Sequence, residues 1–333
     1  MKNRFTAMLG IEFPMIMAPM FLVSNVEMVK EAMKSGIAGT FPTLNFRKEG
    51  ELENALSELS ALHKQTPGGS YGVNLIVQKS NFMLDKHLEI CINHRVPFYI
   101  TSLGSPEEVI SKAHSYGGKV FCDVVNLKHA KKCADLGCDG FIAVGHGAGG
   151  HAGNIALHVL VESLGRNFPN IPVIAAGGIS TGAGIASMLA AGAEGVSVGT
   201  RFIATTEAAV GDGYKNGIIT AGMSDIVLTE KLSGTPCTII DTPYARKIGY
   251  KQTWFERLMN RNKTLKKYVK MIIAVRGMKR LEKSIKPNNY HNLWCAGQSV
   301  EHIKSVVPVR DVIATLRLET STALNRVQEM VDV

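Results

Sequence analysis

Eight short apolar runs separated by amphipathic stretches predict an α/β protein built as a closed (β/α)8 barrel. Three features carry that expectation. The runs are apolar throughout, as in a parallel sheet covered by helices on its outer side. Helical patterns separate the runs, and eight such units in about 200 residues suit a closed barrel better than the alternative, an open doubly wound sheet. Glycine-rich stretches follow the last three runs, where such a barrel places active-site loops.

In order, strands are expected at Met15–Pro19, Ile37–Phe41, Tyr71–Val77, Phe98–Ser102, Lys119–Val124, Gly140–Val144, Pro172–Ala176 and Gly195–Gly199. Helical patterns lie at 25–36, 49–64, 80–93, 106–116, 127–136, 154–166 and 181–191, several opened by Asn, Ser or Thr caps. The sixth strand leads into Gly145–Gly153, which reads as a strand-to-helix loop with five glycines in nine residues. So much glycine is usual where backbone takes positive φ or lies close against something with no side chain between, a ligand being the obvious candidate. A flexible surface loop is the other reading. The loop carries His146 and His151, and imidazole is the side chain most readily tuned for proton transfer near neutral pH. His146 reads as solvated or structural.

Strand seven ends in Ala175-Ala-Gly-Gly-Ile-Ser180 and strand eight in Val196-Ser-Val-Gly-Thr-Arg-Phe202. Loops after the last two barrel strands form the usual phosphate site, so Gly177, Gly178, Gly199 and Thr200 are phosphate-cradle candidates. Glycines also serve simply to turn tight loops. Beyond the barrel, Asp225–Thr229 and Pro236–Asp241 have β-like composition and suit a small excursion over the mouth. Three segments are therefore expected: a barrel core over 1–210, an inserted small domain with a basic helical region over 211–290, and a C-terminal segment over 291–333 whose helix packs back on the barrel.

Composition narrows the class. At 333 residues and 45% hydrophobic, the chain can bury a large core. It contains no run of eighteen apolar residues and opens without the apolar segment of a signal peptide, so a cytoplasmic protein with no integral membrane segment is expected. Six cysteines, at 91, 122, 133, 138, 237 and 295, form no C-x-x-C pair and read as reduced, mostly core thiols; no metal site is expected. The net charge of +9 is local: residues 246–286 hold fourteen Lys/Arg against two Glu, which leaves the remainder slightly acidic and gives no reason to expect nucleic acid. Apolar residues from Trp254 to Ile285 recur at helical spacing there. A solvated basic face explains that pattern; an acidic partner for the basic helix 254–286, or an anionic membrane surface, is the alternative.

Several motifs together resemble the nitronate monooxygenase family, formerly the 2-nitropropane dioxygenases. They are Pro14-Met-Ile-Met-Ala-Pro-Met20, Gly72-Val-Asn-Leu75, Ala148-Gly-Gly-His-Ala-Gly153, Val173-Ile-Ala-Ala-Gly-Gly-Ile179, Val198-Gly-Thr-Arg-Phe202 and Trp294-Cys-Ala-Gly-Gln298. They occur in the family's order and cover most of the chain. The resemblance implies an FMN-dependent TIM barrel that oxidises nitronates, and possibly nitroalkanes, with molecular oxygen to carbonyl compounds and nitrite. It further implies that Ala18, Pro19 and Met20 line the flavin, that Asn74 hydrogen-bonds it, that Gly149 and Gly150 approach it by backbone, that Gly177, Gly178, Gly199 and Thr200 hold its phosphate, and that His151 is the base. One phosphate cradle and no Gly-x-Gly-x-x-Gly after the first strand favour FMN over FAD.

The chain also departs from the family pattern. Gly147 stands where many relatives have Glu four residues before the histidine, and Asp123 stands where some have a basic residue near the flavin; an anion there disfavours a reduced, negatively charged flavin. A flavin-dependent enoyl-acyl-carrier-protein reductase or an NADH:quinone reductase, both using NAD(P)H, shares most of these motifs and is the nearest alternative. A flavin-free phosphate-binding isomerase or aldolase, or a catalytically silent flavin binder, represents a different class. The former lacks an obvious lysine nucleophile or paired carboxylates at strand ends.

Overall fold

The computed structural model describes residues 1–78, 80–232, 236–251 and 292–331; the basic pattern at 254–286 lies outside them. The chain opens with a short helix, α1 (Arg4–Leu9), before the first strand. β1 (Met15–Met17), β2 (Ala38–Pro42), β3 (Ser70–Ile76), β4 (Phe98–Ser102), β5 (Lys119–Val124) and β6 (Gly140–Val144) pair in sequence. A two-residue strand, β7 (Gly150–His151), stands apart, and β8 (Val173–Ala176) and β9 (Gly195–Val198) complete a closed parallel barrel. β9 closes on β1 with Val198 opposite Met17. All eight barrel strands therefore occur where the apolar runs predict them, within one or two residues.

The outer helices follow in order: α2 (Val26–Lys34), α3 (Glu51–His63), α4 (Leu84–Asn93), α5 (Glu107–His114), α6 (Leu127–Asp135), α7 (Leu157–Asn167) and α8 (Gly182–Ala190). Asn25, Asn126 and Thr181 cap α2, α6 and α8 by accepting a backbone N–H three residues on. α4 and α7 begin three or four residues later than the periodicity predicts. In the first case the Asn81 side chain accepts from Met83 N and donates to Ile76 O, which holds the preceding residues in a turn. In the second, His146 N donates to Ile155 O at 2.9 Å, tying that stretch to the glycine loop.

Inside the barrel the strands interlock large residues with glycines. A Cβ on Gly72, Gly140 or Gly195 would lie within 2.7 Å of the ring of Phe98, Phe121 or Phe5 respectively. These three phenylalanines meet edge to face, at 5.7 Å between Phe5 and Phe121 and 6.0 Å between Phe98 and Phe121. Phe5 belongs to α1, which plugs the N-terminal end of the barrel. That helix was not anticipated, although Asn3 and Thr6 form its capping box and Gly10 its left-handed C-cap. Among the described residues α1 thus closes the barrel axis at that end, which directs attention to the C-terminal end.

Past β9 the chain forms α9 (Thr200–Ile203), α10 (Asp212–Thr220), the strands β10 (Ile226–Thr229) and β11 (Cys237–Ile240), and α11 (Pro243–Ile248). The eighth place in the helical ring is taken by α12 (Val309–Val331), which packs against α8 and α2. The carboxylate of Glu319 accepts from Gly182 N at 2.7 Å, and Arg317 donates to Ser35 O at 2.6 Å while lying over the Phe13 ring. The barrel's last strand and last helix are thus separated by more than a hundred residues of chain.

Candidate active site

Each residue singled out from the sequence lies at the C-terminal end of a barrel strand or in the loop beyond it. On one side of the mouth stands the glycine loop. It is more than a strand-to-helix connection: β7 pairs antiparallel with β11, His151 opposite Cys237 and Gly150 opposite Thr238, and β11 pairs with β10. The Thr238 hydroxyl donates to Ala148 O at 2.6 Å. The backbone of His151 is therefore held in a three-stranded sheet laid over the mouth. Its side chain reaches solvent, yet surrounding protein desolvates the imidazole and lowers its pKa below the ordinary 6.5. It is neutral at pH 7, the state a base requires. His146 is exposed, as the sequence suggests.

The other glycine loops interlock with this one. A Cβ on Gly177 would lie 2.8 Å from Ala148 N, one on Gly149 would lie 2.9 Å from Gly297 N, and one on Gly297 would lie 2.4 Å from Gly147 O. Gly297 N also donates to Thr200 Oγ1 at 3.1 Å, so the hydroxyl of this cradle candidate is already engaged. Trp294, in the same motif as Gly297, stacks on Tyr214 at 5.5 Å, and the Tyr214 hydroxyl donates to Cys295 O at 2.5 Å. Gly178 and Gly150 have φ of 73°, which favours glycine at both.

Gly199 is different, and it provides the test of whether a cofactor fits. Its φ of −110° is open to any residue, and a Cβ there would meet Ala18 Cβ at 3.6 Å and Met20 Sδ at 3.8 Å, ordinary contacts. Neither strain nor crowding within the protein demands glycine. A ligand lying against this backbone, beside the half-buried Ala18, Pro19 and Met20, would fit that space.

The opposite side of the mouth is made of side chains. Asn74 on β3, Ser102 on β4 and Asp123 on β5 form a chain across three adjacent strands. Asn74 Nδ2 donates to Ile100 O at 3.1 Å and to Ser102 Oγ at 2.8 Å, and Ser102 Oγ donates to Asp123 Oδ2 at 2.5 Å. Burial raises the Asp123 pKa to about 6, against the lowering effect of the Ser102 hydrogen bond. Asp123 lies within β5, three residues before Asn126, which caps the following helix. Ser102 was not singled out from the sequence, where a serine closing an apolar run carries no mark.

A separate cavity of about 430 Å³ opens at the far, N-terminal end among Leu9, His63, Ser70, Arg95, Tyr116 and Lys119, remote from all of these residues. Among the described residues no cluster of His, Cys, Asp or Glu is placed to hold a metal ion, and no helix is long and apolar enough to cross a membrane.

A closed (β/α)8 barrel with glycine loops and a histidine at its C-terminal end defines a barrel protein with a ligand-binding mouth, and comparisons with known proteins say which kind. The family profile described as nitronate monooxygenase matches residues 70–319, and the chain belongs to that family. It is 30% identical over 250 residues to (3aS,4S,5R,7aS)-5-hydroxy-7a-methyl-1-oxo-octahydro-1H-indene-4-carboxyl-CoA dehydrogenase of Rhodococcus jostii, covering 75% of this chain and 69% of that one. To the probable nitronate monooxygenase of Staphylococcus aureus it is 27% identical over 277 residues, covering 70% and 76%. Among solved structures, FabK from Thermotoga maritima superposes with a TM-score of 0.84 at 29% identity over 99% of both chains. The chain is an oxidoreductase of a flavin-dependent family.

Proposed function

We propose that this protein is an FMN-dependent enzyme that oxidises alkyl nitronates, and nitroalkanes after removal of a proton, with molecular oxygen to carbonyl compounds and nitrite. The observation that carries the reading is the strand pairing of Gly150–His151, which holds the backbone that bears this imidazole at the barrel mouth and so supports a role for it as base. FMN, when bound, supplies the electron acceptor for the substrate and a path for electrons to oxygen. Ala18, Pro19 and Met20 provide its apolar floor, Asn74 a hydrogen bond, Gly149 and Gly150 a close backbone approach, and Gly177, Gly178, Gly199 and Thr200 the phosphate cradle. The unforced glycine at 199 supports that cradle. His151 takes the proton from the carbon bearing the nitro group, or orients a substrate that arrives already ionised.

The similarity to a CoA-thioester dehydrogenase and to FabK favours a second reading, an NAD(P)H-linked enzyme acting on thioesters. One experiment separates the two. Purified protein should be yellow, release FMN on denaturation, and bleach anaerobically on adding propionate 3-nitronate. Bleaching by NADH alone, with turnover of an enoyl thioester and none of nitronate, would move the assignment to the second reading.

A further inference from the structure

The polar chain Asn74–Ser102–Asp123 has a fixed direction. The carbonyl of Ile100 can only accept, so the Asn74 amide must turn its nitrogen towards the barrel wall, and both N–H bonds of that nitrogen are spent on Ile100 O and Ser102 Oγ. Its carbonyl oxygen remains as an acceptor. Ser102 has one hydrogen, which it gives to Asp123 Oδ2, while its lone pair receives the hydrogen from Asn74. Of the Asp123 carboxyl, Oδ2 is thereby held as an acceptor. Oδ1 has no protein hydrogen bond among the described residues and is the oxygen that can carry a proton.

A half-buried carboxylate at a mouth that receives an anion is a problem of like charge. It is relieved when the carboxyl is neutral, because a protonated Oδ1 can then donate a hydrogen bond to the incoming anion. We propose that an anionic substrate enters this mouth together with one proton, which Asp123 takes up, and that Ser102 is the positioning residue that holds the carboxyl to receive it. The inference rests on the nitronate reading of the site and names the protonation state in which the site accepts that substrate.

The surroundings of Asp123 suit the role. Burial has already brought its proton affinity close to neutral pH, so an approaching anion need tip it only slightly. Ser102 faces it from β4, and the Cys133 thiol on α6 senses its charge from the outer side of β5, while β6 brings no titratable side chain along Gly140–Val144. Among the described residues no charged side chain from α5 or α6 shifts it. The glycine loop at the mouth carries two further titratable side chains, His146 and His151, so the test must tell them apart from Asp123.

Nitrite, the anion released by the proposed reaction, is a suitable unreactive probe. Titrated into the flavin-loaded protein by calorimetry at pH 7, in buffers of different ionisation enthalpy, it should take up about one proton per anion bound, and its affinity should fall by up to about tenfold per pH unit above the Asp123 pKa. Asp123→Asn should bind nitrite with little or no proton uptake. Ser102→Ala removes a hydrogen bond that favours the ionised carboxyl, so a larger fraction of Asp123 should already be protonated at pH 7 and uptake should drop, with the affinity fall displaced to higher pH. Ser102→Thr should restore the wild-type profile. Uptake that survives Asp123→Asn belongs to another group, such as a histidine of the glycine loop, and overturns the proposal, as does binding without uptake in the wild type. If nitrite fails to bind at all, the proposal falls, while nitronate turnover measured separately by carbonyl formation decides whether the proposed reaction stands.

Discussion

The two sides of the barrel mouth are made of different material. From β3 to β5 the wall presents side chains, Asn74, Ser102 and Asp123, in one directed hydrogen-bond chain. From β6 through β9 it presents bare backbone: Gly147 packs against Gly178, Gly177 against Ala148 and Gly149 against Gly297, while Gly199 leaves room beside it. Side chains can exchange protons and respond to pH; close-packed backbone can do neither, but it offers a rigid surface of N–H groups that a flat or phosphorylated ligand can approach closely. In the proposed function, the difference gives proton management to one side and holding to the other. His151 crosses this division: its backbone belongs to the glycine side, pinned by β11, and in the proposed function its imidazole does the work of the other.

Breaking the division at its crossing point should have the largest effect. His151→Ala should retain flavin, because the holding side is untouched, and should lower turnover of a neutral nitroalkane by about 10² to 10⁴, the usual range for a positioned base. Oxidation of a preformed nitronate should suffer less, and the wild-type pH profile should show an acidic limb below 6.5, where the depressed imidazole protonates. Equal large losses for both substrate forms, read by anaerobic flavin reduction, would assign His151 to binding instead.

The holding side is next. Gly297→Ala places a Cβ 2.4 Å from Gly147 O, and overpacking of this kind should destabilise by about 1–3 kcal/mol, seen as a lower Tm together with loss of flavin. Gly199→Ala makes the complementary case. The added methyl meets only ordinary contacts, so the stability of the flavin-free protein should hold, while FMN should bind about tenfold or more weakly because the methyl occupies the cradle. Unchanged FMN affinity in Gly199→Ala would remove this residue from the holding side.

The smallest effect belongs to the side-chain wall. Asp123 is harder to ionise in the folded protein than in the unfolded chain, so the folded state binds the extra proton and stability declines as pH rises from about 4 to about 6. Asp123→Asn should therefore be no more stable than wild type at pH 4 and more stable at pH 7. Because the side chain is only half-buried, the gain should be of the order of 1 kcal/mol rather than the full linkage value. Parallel melting curves across that window, with no crossing, would mean that Asp123 is solvated and does not titrate near neutrality.

How much of this was legible in the sequence follows from the range of the interactions involved. The eight barrel strands are buried on both faces and so read as apolar runs, and the site residues could be placed because each sits at the end of such a run. The pairing of Gly150–His151 with Cys237–Thr238 joins segments almost ninety residues apart, and a glycine-rich strand of two residues has no period to detect. Gly297 belonged to a motif visible in the sequence, Trp294–Gln298, but nothing there says that it abuts Gly147. Ser102 escaped notice because its importance lies in its two neighbours, on strands whose register cannot be read from composition. α1 was missed for its brevity, although its capping box was in plain sight.

The place of α12 in the ring has a consequence for how the molecule assembles. During synthesis β1 and α2 emerge early, yet the surfaces of α2 and α8 that α12 covers must wait until residues 309–331 have been made. Contacts of such long sequence separation slow folding and leave apolar surface open in the interim. Val309, Val312, Ile313 and Leu316, all buried in the finished protein, would then form the last seam to close. A nascent chain should accordingly stay sensitive to protease along α2 and α8 until that seam is shut, and should lose its sensitivity in a single late step.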